Sequence, residues 1–356
     1  MVEWLAGNRI RGTSTDRTVG TPAVPAVIGG WKELARTTLG SAGATISVTG
    51  LADKQYYMVL IDSLNSGVVS GFGRLNGDSG NNYSRRRSED GGSDATNVNN
   101  IAMNYFGQDV SGGHDFTVGY ITNQSDKEKL SMTHSVWGNT AGAGNAPHRM
   151  EDFGKWNNTT DPISSYQAVD LEGGDFASGA ECVVLGYDPD DTHTDNFWEE
   201  LASVSGDGTS TTLNSGTITA KKYLWFQVYG SVASQMDNMG LQFNSDTGSN
   251  YARRISLNGA TDNTSGSQTY IRLAGGVASG GSLFGSGFII NNSANEKLLT
   301  SHWVRNKTAG AGTVPERFET TGKWANTNSQ ITSIQFIHGG SSNWDSDSII
   351  KVWGSN

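Results

Sequence analysis

The sequence predicts an all-β protein: two tandem homologous β-sandwich domains of jelly-roll-like type behind an extended N-terminal arm. Three observations predict it. The chain repeats itself over most of its length, its composition favours turns and strands over helices, and its apolar residues recur with a period of two.

Composition bounds the rest. A chain of 356 residues is long for one sandwich and comfortable for two domains that each bury a core. Gly is abundant at 47 and charged residues make up only 17%. Few stretches place Ala, Leu, Glu and Lys at helical spacing, which leaves the all-β class. The formal charge of −10 argues against a surface built to wrap nucleic acid, which needs clustered Lys and Arg, so no direct nucleic-acid binding is expected. Cys182 is the only cysteine; it alternates with Val184 and reads as a small buried hydrophobe, with no disulfide or cysteine-based zinc site. No apolar run reaches the roughly 20 residues that span a bilayer, and the start of the chain lacks the basic and apolar regions of a signal peptide. A protein with no membrane span and no export by the usual route is the expectation.

The duplication is legible residue by residue. Trp31-Lys32-Glu33-Leu34-Ala35 returns as Trp198-Glu199-Glu200-Leu201-Ala202, 167 positions later. From Asp78 onward the offset is 168: Asp78-Ser79-Gly80-Asn81-Asn82-Tyr83 answers Asp246-Thr247-Gly248-Ser249-Asn250-Tyr251. Glu128-Lys129-Leu130, Thr140-Ala141-Gly142-Ala143-Gly144 and Gly154-Lys155-Trp156 recur in the same register as Glu296-Lys297-Leu298, Thr308-Ala309-Gly310-Ala311-Gly312 and Gly322-Lys323-Trp324. One long period means two complete domains, whereas a solenoid repeats every 20 to 50 residues. The organisation that follows is an arm over 1–29, a first sandwich over 30–187, an acidic linker over 188–196 and a second sandwich over 197–356.

Within each copy, Leu130, Met132, His134 and Val136 share one face of a strand, as do Leu298, Thr300, His302 and Val304. Their apolar company predicts a core-facing side. The denser runs Tyr56 to Ile61 and Tyr223 to Tyr229 predict strands covered on both faces, in the middle of a sandwich. With the turn clusters between such runs, the reading is eight to ten short strands per copy. The linker carries Asp188, Asp190, Asp191 and Asp195 without the glycine turn or terminal glutamate of a calcium loop, and reads as solvated.

The search for chemistry turns up few candidates. His134 and His302 recur at equivalent places, yet their phase marks them as hydrogen-bonded core histidines. No second histidine lies two residues away and no acidic residue recurs beside them, so a metal site finds little support. Asn76, Asp78 and Asn82, repeated as Asn244, Asp246 and Asn250, set oxygen-bearing side chains around a glycine. That suits a weak calcium loop or, more simply, a hairpin turn capped by Asp and Asn. Arg85, Arg86, Arg253 and Arg254 begin the next strand; one of each pair should point outward into intersubunit or interdomain ion pairs, with a solvated edge strand as the alternative. Trp156 and Trp324, each after Gly-Lys, are candidates for stacking on sugar rings or for core burial. No nucleophile elbow, phosphate-binding loop, dinucleotide fingerprint or recurring carboxylate pair is present, so no catalytic residue is assigned and no cofactor beyond that calcium is expected.

The end of each copy carries a further pattern. A strand from Ile163, a Gly/Ser-rich turn with Phe176, and a closing strand Glu181 to Gly186 are answered by Ile331, Trp344 and Ile349 to Gly354. In outline this resembles the C-terminal strand pair of β-sandwich structural proteins of tailed phages and related, largely marine, viruses. The Asn-Xaa-Asp-Ser/Thr-Gly-Xaa-Asn-Tyr loop is similar to segments of proteins of the same kind. The resemblance implies a virion protein, assembled in the host cytoplasm, whose partners are copies of itself and other virion proteins. The arm suits such work: Trp4, Arg9, Ile10 and Arg11, followed by Pro22 and Pro25, form an extended segment fit to dock on a neighbouring subunit. The expected function is therefore a non-enzymatic capsid coat subunit or an outer decoration or tail component. The alternative is a lectin-like pair of modules that binds a host-surface glycan or receptor.

Overall fold

The computed structural model describes residues 30–356 apart from 110–111, 139, 190, 192, 233, 307–309 and 340–342; Trp4, Arg9, Ile10 and Arg11 of the arm lie outside the described residues. The first copy comprises β1 (Lys32–Thr38), β2 (Thr45–Thr49), β3 (Tyr56–Leu64), β4 (Val69–Leu75), β5 (Tyr83–Glu89), β6 (Ala95–Asn100), β7 (Met103–Asp109), β8 (His114–Thr122), β9 (Lys129–Gly138), β10 (His148–Trp156), β11 (Ser165–Asp170) and β12 (Glu181–Tyr187). The second comprises β13 (Glu199–Ser205), β14 (Thr212–Asn214), β15 (Tyr223–Ser231), β16 (Met236–Phe243), β17 (Tyr251–Leu257), β18 (Asn263–Gln268), β19 (Ile271–Val277), β20 (Ser282–Ile290), β21 (Lys297–Arg305), β22 (Glu316–Trp324), β23 (Ile334–Gly339) and β24 (Ile349–Ser355). Among the described residues each copy has twelve strands, where the alternation predicts eight to ten. β6 and β18 are polar edge strands, and no period of two announces them.

Each copy is a β-sandwich of jelly-roll type. β1 pairs with β12, β2 with β11, β3 with β8 and β4 with β7, all antiparallel. Such nested pairing is that of one long hairpin wound on itself. It yields the rows β1-β12-β3-β8 and β2-β11-β4-β7. β9, β10, β5 and β6 then extend the first row into an eight-stranded sheet, so a large sheet faces a small one. The second copy repeats this order strand for strand.

The core between the sheets is apolar. Tyr57, Val59 and Ile61 of β3 and Cys182 and Val184 of β12 point inward to meet Ile46 and Val48 of β2 and Val69 of β4, all buried. Their neighbours Met58, Leu60, Val183 and Leu185 point the other way and are buried too, against Tyr223, Phe288, Ile290, Leu298 and Trp353 of the second copy. The two large sheets therefore meet outer face to outer face, and the dense apolar run of β3 is covered on both sides because one side belongs to the other domain.

One expectation reverses. In β9 the residues that enter the sandwich are Ser131, Thr133 and Ser135, whose hydroxyls are hydrogen-bonded there, Ser131 to Asn104 Oδ1 at 2.5 Å and Ser135 with Thr117 at 2.8 Å. Leu130, Met132, His134 and Val136 lie on the outer face instead. An apolar stripe marks any dry contact, and here the contact is partly the other domain and partly an open surface.

Candidate functional site

The paired loops are built as turns. Asp78 accepts from Gly80 N at 2.8 Å, from Asn82 Nδ2 at 2.9 Å and from Trp156 Nε1 at 2.7 Å. Asp246 repeats this with Gly248, Asn250 and Trp324 at 2.8, 2.9 and 2.7 Å. Burial would raise both carboxyls, but the indole, amide and backbone donors hold them below the ordinary carboxylate value. Asn76 and Asn244 accept from the backbone N–H of Ser164 and Thr332, each at 2.8 Å. The carboxylates of Asp78 and Asp246 and the amide oxygens of Asn76 and Asn244 thus accept N–H donors, an arrangement that favours the capped turn of the two readings. Trp156 and Trp324 are each 1% exposed, stacked on Tyr83 and Tyr251. Neither can stack on a sugar, because the face a sugar needs is inside the core.

The arginines divide. Arg85 lies over the Phe72 and Tyr105 rings and 3.4 Å from Asp152, within its own domain. Burial pushes the Asp152 carboxyl up to about 6 despite the Arg85 charge beside it. Arg86 meets Asp94 at the surface, and Arg253 meets Asn263, again within the domain. Only Arg254 reaches the other copy, at 3.1 Å from Asp90 and 2.9 Å from the carbonyl of Pro147. Of the four, it alone makes the expected interdomain ion pair. The described linker aspartates are also held: Asp188 and Asp191 converge on Lys54 at 3.3 and 2.6 Å, and Asp195 meets Lys32 at 2.9 Å, a correction to a wholly solvated linker, while Asp190 lies outside the described residues.

The seam between the large sheets brings together residues that lie far apart in sequence. His134 and His302 meet edge to face, ring centroids 4.2 Å apart. Across the ladders His134 pairs with Glu151 and His302 with Glu319, so an acidic residue does recur beside each histidine, one strand away. Glu151 Oε1 lies 3.1 Å from His302 Nε2 and 3.8 Å from His134 Nδ1. Arg149 is buried among acids, at 2.7 Å from Glu319, 3.1 Å from Asp262 and 3.4 Å from Glu151. Burial and then the charge of His302 hold His134 below the ordinary histidine value. Burial alone would raise Glu151, yet the two histidines bring it well below the ordinary carboxylate range. Burial and the charge of Glu151 push Glu319 up. His134, Glu151 and His302 could together hold a divalent transition ion, since their ligand atoms lie within 4.8 Å of one another. Arg149 already supplies positive charge to the same carboxylate. The histidines are thus seam residues rather than core ones. A sequence signal for the rest existed: Pro147-His148-Arg149-Met150-Glu151 recurs at 168 positions as Pro315-Glu316-Arg317-Phe318-Glu319.

Beside the seam, the outer face of the first large sheet opens into a groove of about 890 Å³. Its walls are mainly apolar and aromatic, with Trp31, Tyr56, Tyr120, Leu130, Met132 and Phe153 among them. Arg86 and Lys155 stand at its rim. Tyr56, Val98, Leu130, Met132 and Phe153 are exposed there, a contiguous patch of a kind that marks a contact surface.

No family model matches the chain, and no curated protein matches it. Among solved structures it is similar to the LG1-3 region of the laminin α2 chain, at 7% identity over 87% of this chain, with a TM-score of 0.20. The chain spans 64% of the length of that laminin fragment. An alginate lyase in complex with an alginate tetrasaccharide shares 14% identity over 45% of this chain and 80% of its own, with a TM-score of 0.22. Neisserial surface protein A shares 7% identity over 81% of this chain and 99% of its own, with a TM-score of 0.13. Likenesses this distant say nothing about what the chain does. No helix among the described residues is long and apolar enough to cross a membrane.

Proposed function

We propose that this chain is a non-enzymatic building block of a virus particle, a coat subunit or an outer decoration or tail component, whose work is to hold neighbours together. The observation that carries the reading is the open apolar groove on a double jelly roll whose shared residues serve structure. The residues common to the copies cap turns, fill cores or join the domains: Asp78 and Asp246 anchor tryptophans, and His134 and His302 meet at the seam. Support for the particle itself is the resemblance of the repeat ends to phage and virus sandwich proteins.

A second reading keeps one observation on its side, the aromatic lining of the groove, which suits sugar rings. Against it, the surface open in the groove is mostly apolar, although Ser84, Arg86, Thr96, Asn97, Thr122 and Lys155 also line it. The test is direct. Particles from the source organism, probed with antibody to this chain and by peptide mass spectrometry, should carry it in many regularly spaced copies. Its absence from particles, or specific binding of the purified chain on a glycan array, would overturn the structural reading.

A further inference from the structure

The groove of the first domain has a counterpart in the second, and that counterpart is already filled. Tyr56, Leu130, Met132 and Phe153 are 38, 54, 44 and 46% exposed, whereas the equivalent Tyr223, Leu298, Thr300 and Thr321 are 0, 1, 5 and 0% exposed. The first domain covers them, in two ways. Met58, Leu60, Phe116, Val118 and Val136 of its large sheet pack on Tyr223, Phe288 and Leu298. Its Thr140–Gly144 loop reaches into a pocket made by Glu296 and Lys323. There Gly142 N donates to Glu296 at 2.6 Å, and Lys323 Nζ donates to the carbonyl of Thr140 at 2.7 Å.

Both halves of that joint exist a second time, unused. On the first domain, Glu128 and Lys155 form the same pair at 3.1 Å with both side chains exposed, beside the open groove. On the second domain, Thr308-Ala309-Gly310-Ala311-Gly312 repeats the inserting loop, and its described part, 310–312, is exposed. Phe284 and Val304, the equivalents of Phe116 and Val136, are 48 and 40% exposed. The geometry points to a head-to-tail contact between copies of this chain: the second domain of one copy docks in the first-domain groove of the next, as the first domain docks on the second within the chain. The partner is thus a second copy of this chain, and the inference rests on the assembly reading above.

A contact that uses two different surfaces leaves one of each free after every addition, so it builds rings or filaments and does not stop at a symmetric dimer. It is weaker than the joint inside the chain. Leu60, Val118 and Val183 are replaced on the second domain by Gln227, Ser286 and Lys351, and no linker raises the local concentration.

The test uses the full chain, with light scattering across a dilution series. Wild type should form species that grow with concentration. Leu130→Asp with Phe153→Asp disables the groove, Phe284→Asp with Val304→Asp disables the inserting face, and each double variant should be monomeric with an unchanged thermal midpoint. An equal mixture of the two should form a one-to-one dimer, since one intact groove and one intact inserting face remain. A mixture that stays monomeric, or a wild type that is monomeric at every concentration, overturns the contact. So does loss of association on deleting residues 1–29 when Phe284→Asp with Val304→Asp leaves it intact, which would make the arm the occupant. A monomeric chain that is nonetheless found in particles would end the head-to-tail contact and leave the assembly reading standing.

Discussion

Asp78 shows how much a single side chain organises. Its carboxylate holds the turn through Gly80 and Asn82 and fixes the indole of Trp156, which packs between the sheets with Tyr83. Replacing it with Ala leaves the Trp156 N–H without its partner and loosens the turn. The expected loss is about 1–3 kcal/mol, the cost of leaving such a donor unsatisfied, read from the urea midpoint. Asp246→Ala should cost a similar amount, because the second copy reproduces the same three bonds. Calcium should leave the wild-type midpoint where it is; a calcium-dependent rise that Asp78→Ala abolishes would restore the cation reading of the loop. That the loop caps a turn was legible in the sequence, since Asn, Asp and Gly at these spacings have few other uses. Its indole partner was not, because Trp156 lies 78 residues away and the bond forms only when β10 lies beside β5.

At the scale of the strand, the two copies solve one packing problem differently. On the inner face of β8, Thr117 and Ser135 share a hydrogen bond at 2.8 Å. At the same place in the second copy, Gly285 of β20 lies opposite Trp303 of β21, and the indole folds over the glycine so closely that an added methyl would overlap the ring. A glycine inside a strand weakens it unless a neighbour needs the space, and Trp303 needs it. Gly285→Ala should therefore destabilise by about 1–3 kcal/mol through overpacking. The double variant Gly285→Ala, Trp303→Leu should recover part of that loss in a thermal melt. If the two changes simply add, the ring and the glycine are not coupled and the account fails. Alternation in the sequence located these strands but not which side of β9 faces inward. Apolar residues seek any dry contact, and the hydroxyls of Ser131, Thr133 and Ser135 find partners inside the sandwich.

At the scale of the whole molecule, the seam makes stability depend on pH. His134 is held below the ordinary value of 6.5, by burial and then by His302, so the unfolded chain takes up a proton that the seam resists. It leaves stability untouched above pH 6.5 and subtracts from it progressively below. Glu151, lowered from 4.5, adds stability above that value and loses it as the pH falls toward its folded pKa. Glu319 is raised and acts in the opposite sense, so its protonation softens the loss at low pH. Asp152, pushed up to about 6, opposes the histidine over the same window, so the His134 contribution is read as a difference: from pH 7 to pH 5 the denaturant midpoint of wild type should fall relative to that of His134→Gln. His338, also lowered by burial, keeps a share of the slope. A His134→Gln profile parallel to wild type would show that the histidine pair carries none of the dependence.

The sequence by itself determined the fold class and the duplication, and it marked the capped turns, because each is written in local spacing or in direct recurrence. Only the tertiary structure decided the nested strand order and the reversal of the β9 face. It alone also brought His134, Arg149, Glu151 and Glu319 to one seam, and left open on the first domain a groove that is closed on the second. The physical reason is that a period of two tells which residues share a face of a strand, while the layer that face meets is chosen by other elements, from Asn104 of β7 on the inner side of β9 to His302 of the second copy on its outer side. Two nearly equivalent surfaces became different because one domain has a neighbour at its groove and the other, within a single chain, has none.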